Sequence, residues 1–84
     1  MDVKETLAER EVQHGNFVQH SHIECELRAV LNKYGSHLPP YQMIALGMIF
    51  HKAARILNKG NQHSDTWHDI AGYAVLAEQE ILNE

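Results

Sequence analysis

Lys52 and Arg55 are the residues of this chain best equipped to hold an anion, and they stand on a segment that is otherwise almost wholly apolar. Lysine supplies a mobile point charge and arginine a planar fork, the usual equipment for gripping phosphate or carboxylate. With His51 they form one polar group, because positions 51 and 55, and 52 and 55, lie a helical turn apart and can point toward one side. Two readings compete. The cations either meet a visiting anion, or they pair with Asp65 and Asp69 and extend their heads over apolar stems.

Asp65 and Asp69 are four residues apart and share a helix face, the arrangement in which two carboxylates can hold a divalent cation through oxygen. Two carboxylates alone make a poor magnesium site. Asp65 also suits the first turn of a helix, where the dipole favours negative charge, whereas Asp69 sits mid-helix among apolar neighbours and needs a partner. Gly72 costs about 1 kcal/mol relative to alanine inside a helix, which points to close packing or close approach of a ligand. Tyr73 can stack on a base or sit at a half-wet interface. The candidate ligand site is therefore His51, Lys52, Arg55, Asp69 and Tyr73, with Asp65 and Asp69 as a weaker metal pair.

Seven histidines in 84 residues make acid sensitivity an expectation, since each can gain charge between pH 5 and 8. His14, His20 and His22 suggest zinc at first sight. However, the i, i+2 spacing puts His20 and His22 on different sides of a helix, and Gly15 separates His14 from both. His63 and His68 flank Asp65 and suit surface or interhelical contacts. Cys25 is the one cysteine, so it offers neither a disulfide nor a zinc spacing, and it reads as a small buried hydrophobe. No Gly-rich phosphate loop, nucleophile elbow or Cys/His catalytic pattern occurs, which leaves ordinary hydrolase chemistries unsupported.

Four helices position these residues. Residues 2 to 13 are strong helix formers, with Val3, Leu7 and Arg10 on one face, and Gly15 and Asn16 stop that helix and cap the next. From Phe17 to Tyr34 the buried stripe is Ile23, Leu27, Val30, Leu31 and Tyr34, and Glu24, Glu26 and Arg28 form the outer face. Gly35 and the pair Pro39-Pro40 reset the chain before a third helix over about Tyr41 to Asn58. That helix is apolar almost all round, with Gly47 permitting close approach at its middle, so it is either central or half of a subunit interface. A stop at Asn58-Lys59-Gly60-Asn61 precedes a last helix, capped by Ser64 or Asp65 and running to about Leu82. Its expected buried stripe is Trp67, Ile70, Ala71, Ala74, Ala77 and Ile81.

The resulting fold class is all-α, a small helical bundle of about four helices with a C-terminal antiparallel hairpin, forming one domain over residues 1–84. Too few other helices exist to wrap the third one, so a homo-oligomer is expected. With 44% hydrophobic and 21% charged residues the chain is too apolar for disorder, and it has no run long enough to cross a bilayer. A formal charge of -4 argues against general nucleic-acid binding. The N-terminus lacks the order of a secretory signal, making the reducing cytoplasm the expected compartment.

His14-Gly15-Asn16-Phe17, Lys52-Ala53-Ala54-Arg55-Ile56-Leu57 and Asp65-Thr66-Trp67-His68-Asp69-Ile70-Ala71-Gly72-Tyr73-Ala74 together resemble a family of short phage and prophage proteins of uncharacterised function. The K-x-x-R-I and D-x-x-x-D-I-A-G-Y-A pieces also resemble domains associated with nucleotide modification and, more distantly, the MazG-like all-α nucleoside triphosphate pyrophosphohydrolases. In those enzymes a Glu-Glu-x-x-Glu helix and a Glu-x-x-Asp helix hold magnesium, and Asp69 is similar to the final aspartate. Thr66 stands where the second motif places its glutamate, and the preceding helix carries His51, Lys52 and Arg55 in place of acidic ligands.

The resemblance thus implies binding of a nucleotide or other phosphorylated small molecule without turnover and without a cofactor, with capture of a host-defence signal as one such role. One alternative is a divergent magnesium-dependent pyrophosphohydrolase using Asp65 and Asp69 with Glu24 and Glu26. The other is a protein-interaction module acting on a host factor.

Overall fold

Glycine, proline and asparagine set the ends of the helices. The computed structural model describes residues 2–59 and 63–84, apart from the side chains of residues 10–14. It comprises α1 (Val3–His14), α2 (Phe17–Tyr34), α3 (Pro40–Leu57) and α4 (Ser64–Leu82), and among the described residues there is no strand. The stop expected at Gly60-Asn61 and the side chains of Arg10 and His14 lie outside the described residues.

Gly15 ends α1 with φ of 79°, the left-handed conformation that a side chain strains. Asn16 then caps α2, its Oδ1 accepting from the Gln19 backbone N–H at 3.1 Å. At the far end the Gly35 N–H closes α2 onto the Leu31 carbonyl at 2.8 Å. Pro39 and Pro40 start α3 where a missing N–H costs nothing. The N-cap of α4 is His63, without a side-chain cap bond; Ser64 and Asp65, the expected caps, instead lie inside its first turn.

α3 packs on one side against α2 and on the other against α4. Its small residues make this close approach feasible: Ala45, Gly47 and Ala54 are all buried, and Ala54 has no exposure at all. The core is thin, with Leu31, Ala45 and Ala54 as its buried hydrophobic members among the described residues.

Two buried stripes come out rotated from their expected places. On α2, Leu31 is buried but Val30 and Tyr34 are exposed, because the line His20, Glu24, Arg28 and Leu31 faces α3 instead. On α4, Trp67 is 58% exposed, and Ala71, Ala74 and Ile81 are exposed as well. Thr66, Asp69, Ile70, Tyr73 and Ala77 form the more covered line, since the ion pair from Asp69 to Lys52 and the hydrogen bond from Tyr41 to Glu84 hold α4 in that rotation. Cys25, expected to be buried, is exposed. Gly72 is exposed too, and a Cβ there would meet nothing within 4 Å, so close packing within the chain is not its reason.

The α1–α2 turn is closed from the other end of the fold. Asn58 is buried, and its Nδ2 donates to the Asn16 carbonyl at 2.8 Å. A Cβ on Gly15 would lie 2.9 Å from that same Nδ2. Gly15→Ala therefore meets both a disfavoured φ and a steric clash, and it is expected to destabilise the fold by about 1–3 kcal/mol in urea unfolding. Wild-type stability in this variant would contradict the account.

Candidate functional site

A helix that places residues four apart on one face turns His20, Glu24 and Arg28 into a single polar line along α2. His20 and Arg28 both bond to the Glu24 carboxylate between them. His20 Nε2 lies 2.8 Å from Glu24 Oε1, and Arg28 Nε donates to Glu24 Oε2 at 2.7 Å. From α3, His51 Nδ1 meets the same Oε1 at 2.5 Å. The two imidazoles stand edge to face, with ring centroids 5.0 Å apart and planes at 68°.

Arg28 extends the network across the helix interface, its Nη2 donating to the Gly47 carbonyl at 3.3 Å. Gly47 admits the guanidinium: a Cβ at this position would sit 3.1 Å from Arg28 Nη1. The centre of the network is the more shielded part: the side chains of His20 and Glu24 are 11% and 17% exposed, against 29% for His51 and 44% for Arg28.

Burial acts on the Glu24 carboxyl most strongly and by itself would raise its pKa. The hydrogen bonds from Arg28, His20 and His51, with the charge of His51 added, outweigh it and lower the pKa from 4.5 to about 2. A carboxylate so clamped can fix the orientation of two imidazoles and a guanidinium, and its oxygen and the ring nitrogens converge tightly enough to share a metal ion.

The residues singled out by sequence fall into separate environments. His51 turns to α2 and Glu24, whereas Lys52 turns to α4, where its Nζ lies 3.0 Å from Asp69 Oδ2. Arg55 is half-buried and forms no ion pair among the described residues. Tyr73 is half-buried one turn beyond Asp69, and Asp65 is exposed in the first turn of α4. Among the described residues Asp65 and Asp69 belong to no group of three or more ligating side chains close enough to share a metal ion. A cleft of about 400 Å³ opens beside the start of α2, lined by Gly15, Asn16, Gln19, Asn58 and Lys59.

Sequence reasoning placed Glu24 and Arg28 on the outer face of α2 together with Glu26. Only Glu26 is left there without a bond to another helix, and it is exposed. The signal that could have found the network is the i, i+4, i+8 spacing of a histidine, a carboxylate and an arginine.

Because the Glu24 pKa is lowered on folding, its contribution to stability is complete above about pH 4.5 and is lost as the pH falls toward about 2. Glu24→Gln is expected to lower urea stability by about 1–3 kcal/mol at pH 6. The gap between wild type and variant should narrow steadily between pH 5 and pH 3, and a gap independent of pH would contradict this assignment.

No curated protein and no solved structure matches this chain. The domain of unknown function DUF6378 matches residues 2–81, nearly the whole length, and the chain belongs to that family.

Proposed function

We propose that this protein is a homo-oligomeric helical binder of a nucleotide or similar phosphorylated small molecule, which it holds without turnover. The observation that carries the reading is the charge balance on α3. Lys52 is matched by Asp69, while Arg55, one turn away and half-buried, forms no ion pair among the described residues. A half-buried guanidinium favours an anion that supplies the missing charge and accepts from its fork. The Asp69 side chain is 45% exposed, so Lys52 can exchange a carboxylate for a phosphate without deep rearrangement. Tyr73 on α4 offers a ring face for a base, and the cleft lined by Asn58 and Lys59 begins one turn past Arg55. A phage setting and capture of a host-defence nucleotide signal belong to the same reading.

Less supports the pyrophosphohydrolase alternative, because Glu24 is committed to two histidines and Arg28, Asp69 is paired with Lys52, and Glu26 is exposed. Magnesium would have to dismantle those contacts to assemble its oxygen cage.

The homo-oligomer, with α3 and α4 as an antiparallel hairpin at its heart, draws support from surface area. The chain exposes 6316 Å², against about 5,100 Å² for a compact monomer of its 9.6 kDa mass. The excess of roughly 1,200 Å² exceeds the ~800 Å² each partner gives to an interface of ordinary size. Its radius of gyration is 14.7 Å, where a compact domain of this length has about 12 Å. Trp67, Val75, Leu76 and Leu82 give α4 an exposed apolar surface, and Gly72 beside them leaves room for a second chain.

Purified protein is expected to gain several degrees of thermal stability with at least one member of a nucleotide and cyclic-nucleotide panel, and Arg55→Ala should abolish that gain. Indifference of the wild type to the whole panel would remove the ligand reading. In light scattering after size exclusion the wild type should run as a dimer or larger and Leu76→Glu as a smaller species. A monomeric wild type would remove the oligomer.

A further inference from the structure

We propose that His20 Nε2, Glu24 Oε1 and His51 Nδ1 form a binding site for one divalent transition-metal ion of the zinc class, independent of the anion site on α3 and α4. The donor set is two imidazole nitrogens and one carboxylate oxygen, and these three atoms lie within 4.8 Å of one another. Two nitrogens select zinc, nickel or cobalt over magnesium, which prefers an all-oxygen shell.

The separations need little change. Around an ion with bonds near 2.0–2.1 Å, tetrahedral ligands stand about 3.4 Å apart. The two nitrogens now lie 2.8 Å and 2.5 Å from Oε1, so the carboxylate recedes by less than ~1 Å to admit an ion at those bond lengths. His20 and Glu24 are fixed to each other by one turn of α2, and His51 by the buried α2–α3 interface.

The surrounding shell is already built. Arg28 holds Oε2, which leaves Oε1 as the single oxygen presented to both rings, and Gly47 anchors Arg28 in turn. Such outer contacts orient ligands in metal sites. When the ion enters, any proton that a ring nitrogen shares with Oε1 passes to the other nitrogen of that ring or to solvent, so each imidazole gives a lone pair to the metal. Three protein ligands leave a fourth position for water or an exogenous group. The nearby guanidinium disfavours a second positive charge, which places the affinity below that of a closed structural zinc site.

The test uses the full-length chain stripped with a chelator and titrated with zinc by calorimetry, and with cobalt by visible absorption. Wild type should bind one ion per chain and give the intense cobalt spectrum of a four-coordinate nitrogen and oxygen site. His51→Asn and His20→Gln set a side-chain amide where each ligating nitrogen lies, which keeps a hydrogen bond to Glu24 but removes the metal ligand. Both should weaken binding by more than the 10–100-fold that loss of an outer-shell contact costs. His22→Ala, on an exposed residue away from the cluster, should leave affinity within about twofold of wild type, well inside the 10–100-fold outer-shell range.

Circular dichroism confirms that each variant is folded, and if His51→Asn is not, His20→Gln alone carries the comparison. Absence of stoichiometric binding by wild type overturns the proposal. So does a loss in His22→Ala equal to that in the cluster variants, the mark of adventitious binding by surface histidines.

Discussion

One carboxylate, that of Glu24, gathers three nitrogen-bearing side chains from two helices and thereby sets how α2 lies on α3. An ionised group shielded to this degree costs several kcal/mol unless its oxygens are satisfied, so the arrangement tolerates little slack. Any rotation of α2 that buried Val30 and Tyr34 more deeply would pull Glu24 off His51 and Arg28 off Gly47. The small α2–α3 interface is therefore specified more by polar geometry than by apolar area.

The same logic runs through the other side of α3. His51 and Lys52 are adjacent in sequence and turn to different neighbours, His51 to Glu24 on α2 and Lys52 to Asp69 on α4. Small residues such as Gly47 and Ala54 on α3 let the flanking helices come near enough for those bonds to form. What remains over is positive: Arg55 has no ion pair among the described residues, and one turn past it Asn58 and Lys59 line a cleft. Function, on this account, sits in what the scaffold leaves unpaired, and the apolar surface of α4 remains for association.

The positions of the four helices were legible because their ends depend on local chemistry, as at Gly15-Asn16, Gly35 and Pro39-Pro40. Rotation of each helix about its axis was not. Periodicity assigns apolar residues to the inside, and on α2 it set Ile23, Leu27, Val30, Leu31 and Tyr34 there; the competing line of His20, Glu24 and Arg28 looks like a solvated face until His51 arrives from another helix. Trp67 was misplaced for a related reason: its apolar size suggests a core, while Asp69 two residues later is drawn inward by Lys52. Lys52, Arg55 and Asp69 were visible as charged residues on greasy helices, but which of them would find a partner depended on contacts spanning about fifteen residues or more, such as Lys52 with Asp69.

Since the central claim is that Glu24 and His51 act together across the α2–α3 interface, the most direct measurement is a double-mutant cycle on metal-free protein. Urea unfolding of wild type, Glu24→Ala, His51→Ala and the double variant isolates their coupling from the separate losses. The account predicts a favourable coupling of about 1–2 kcal/mol, as residues in one shared hydrogen-bond network show. Additivity within about 0.3–0.5 kcal/mol, the behaviour of independent sites, would contradict it.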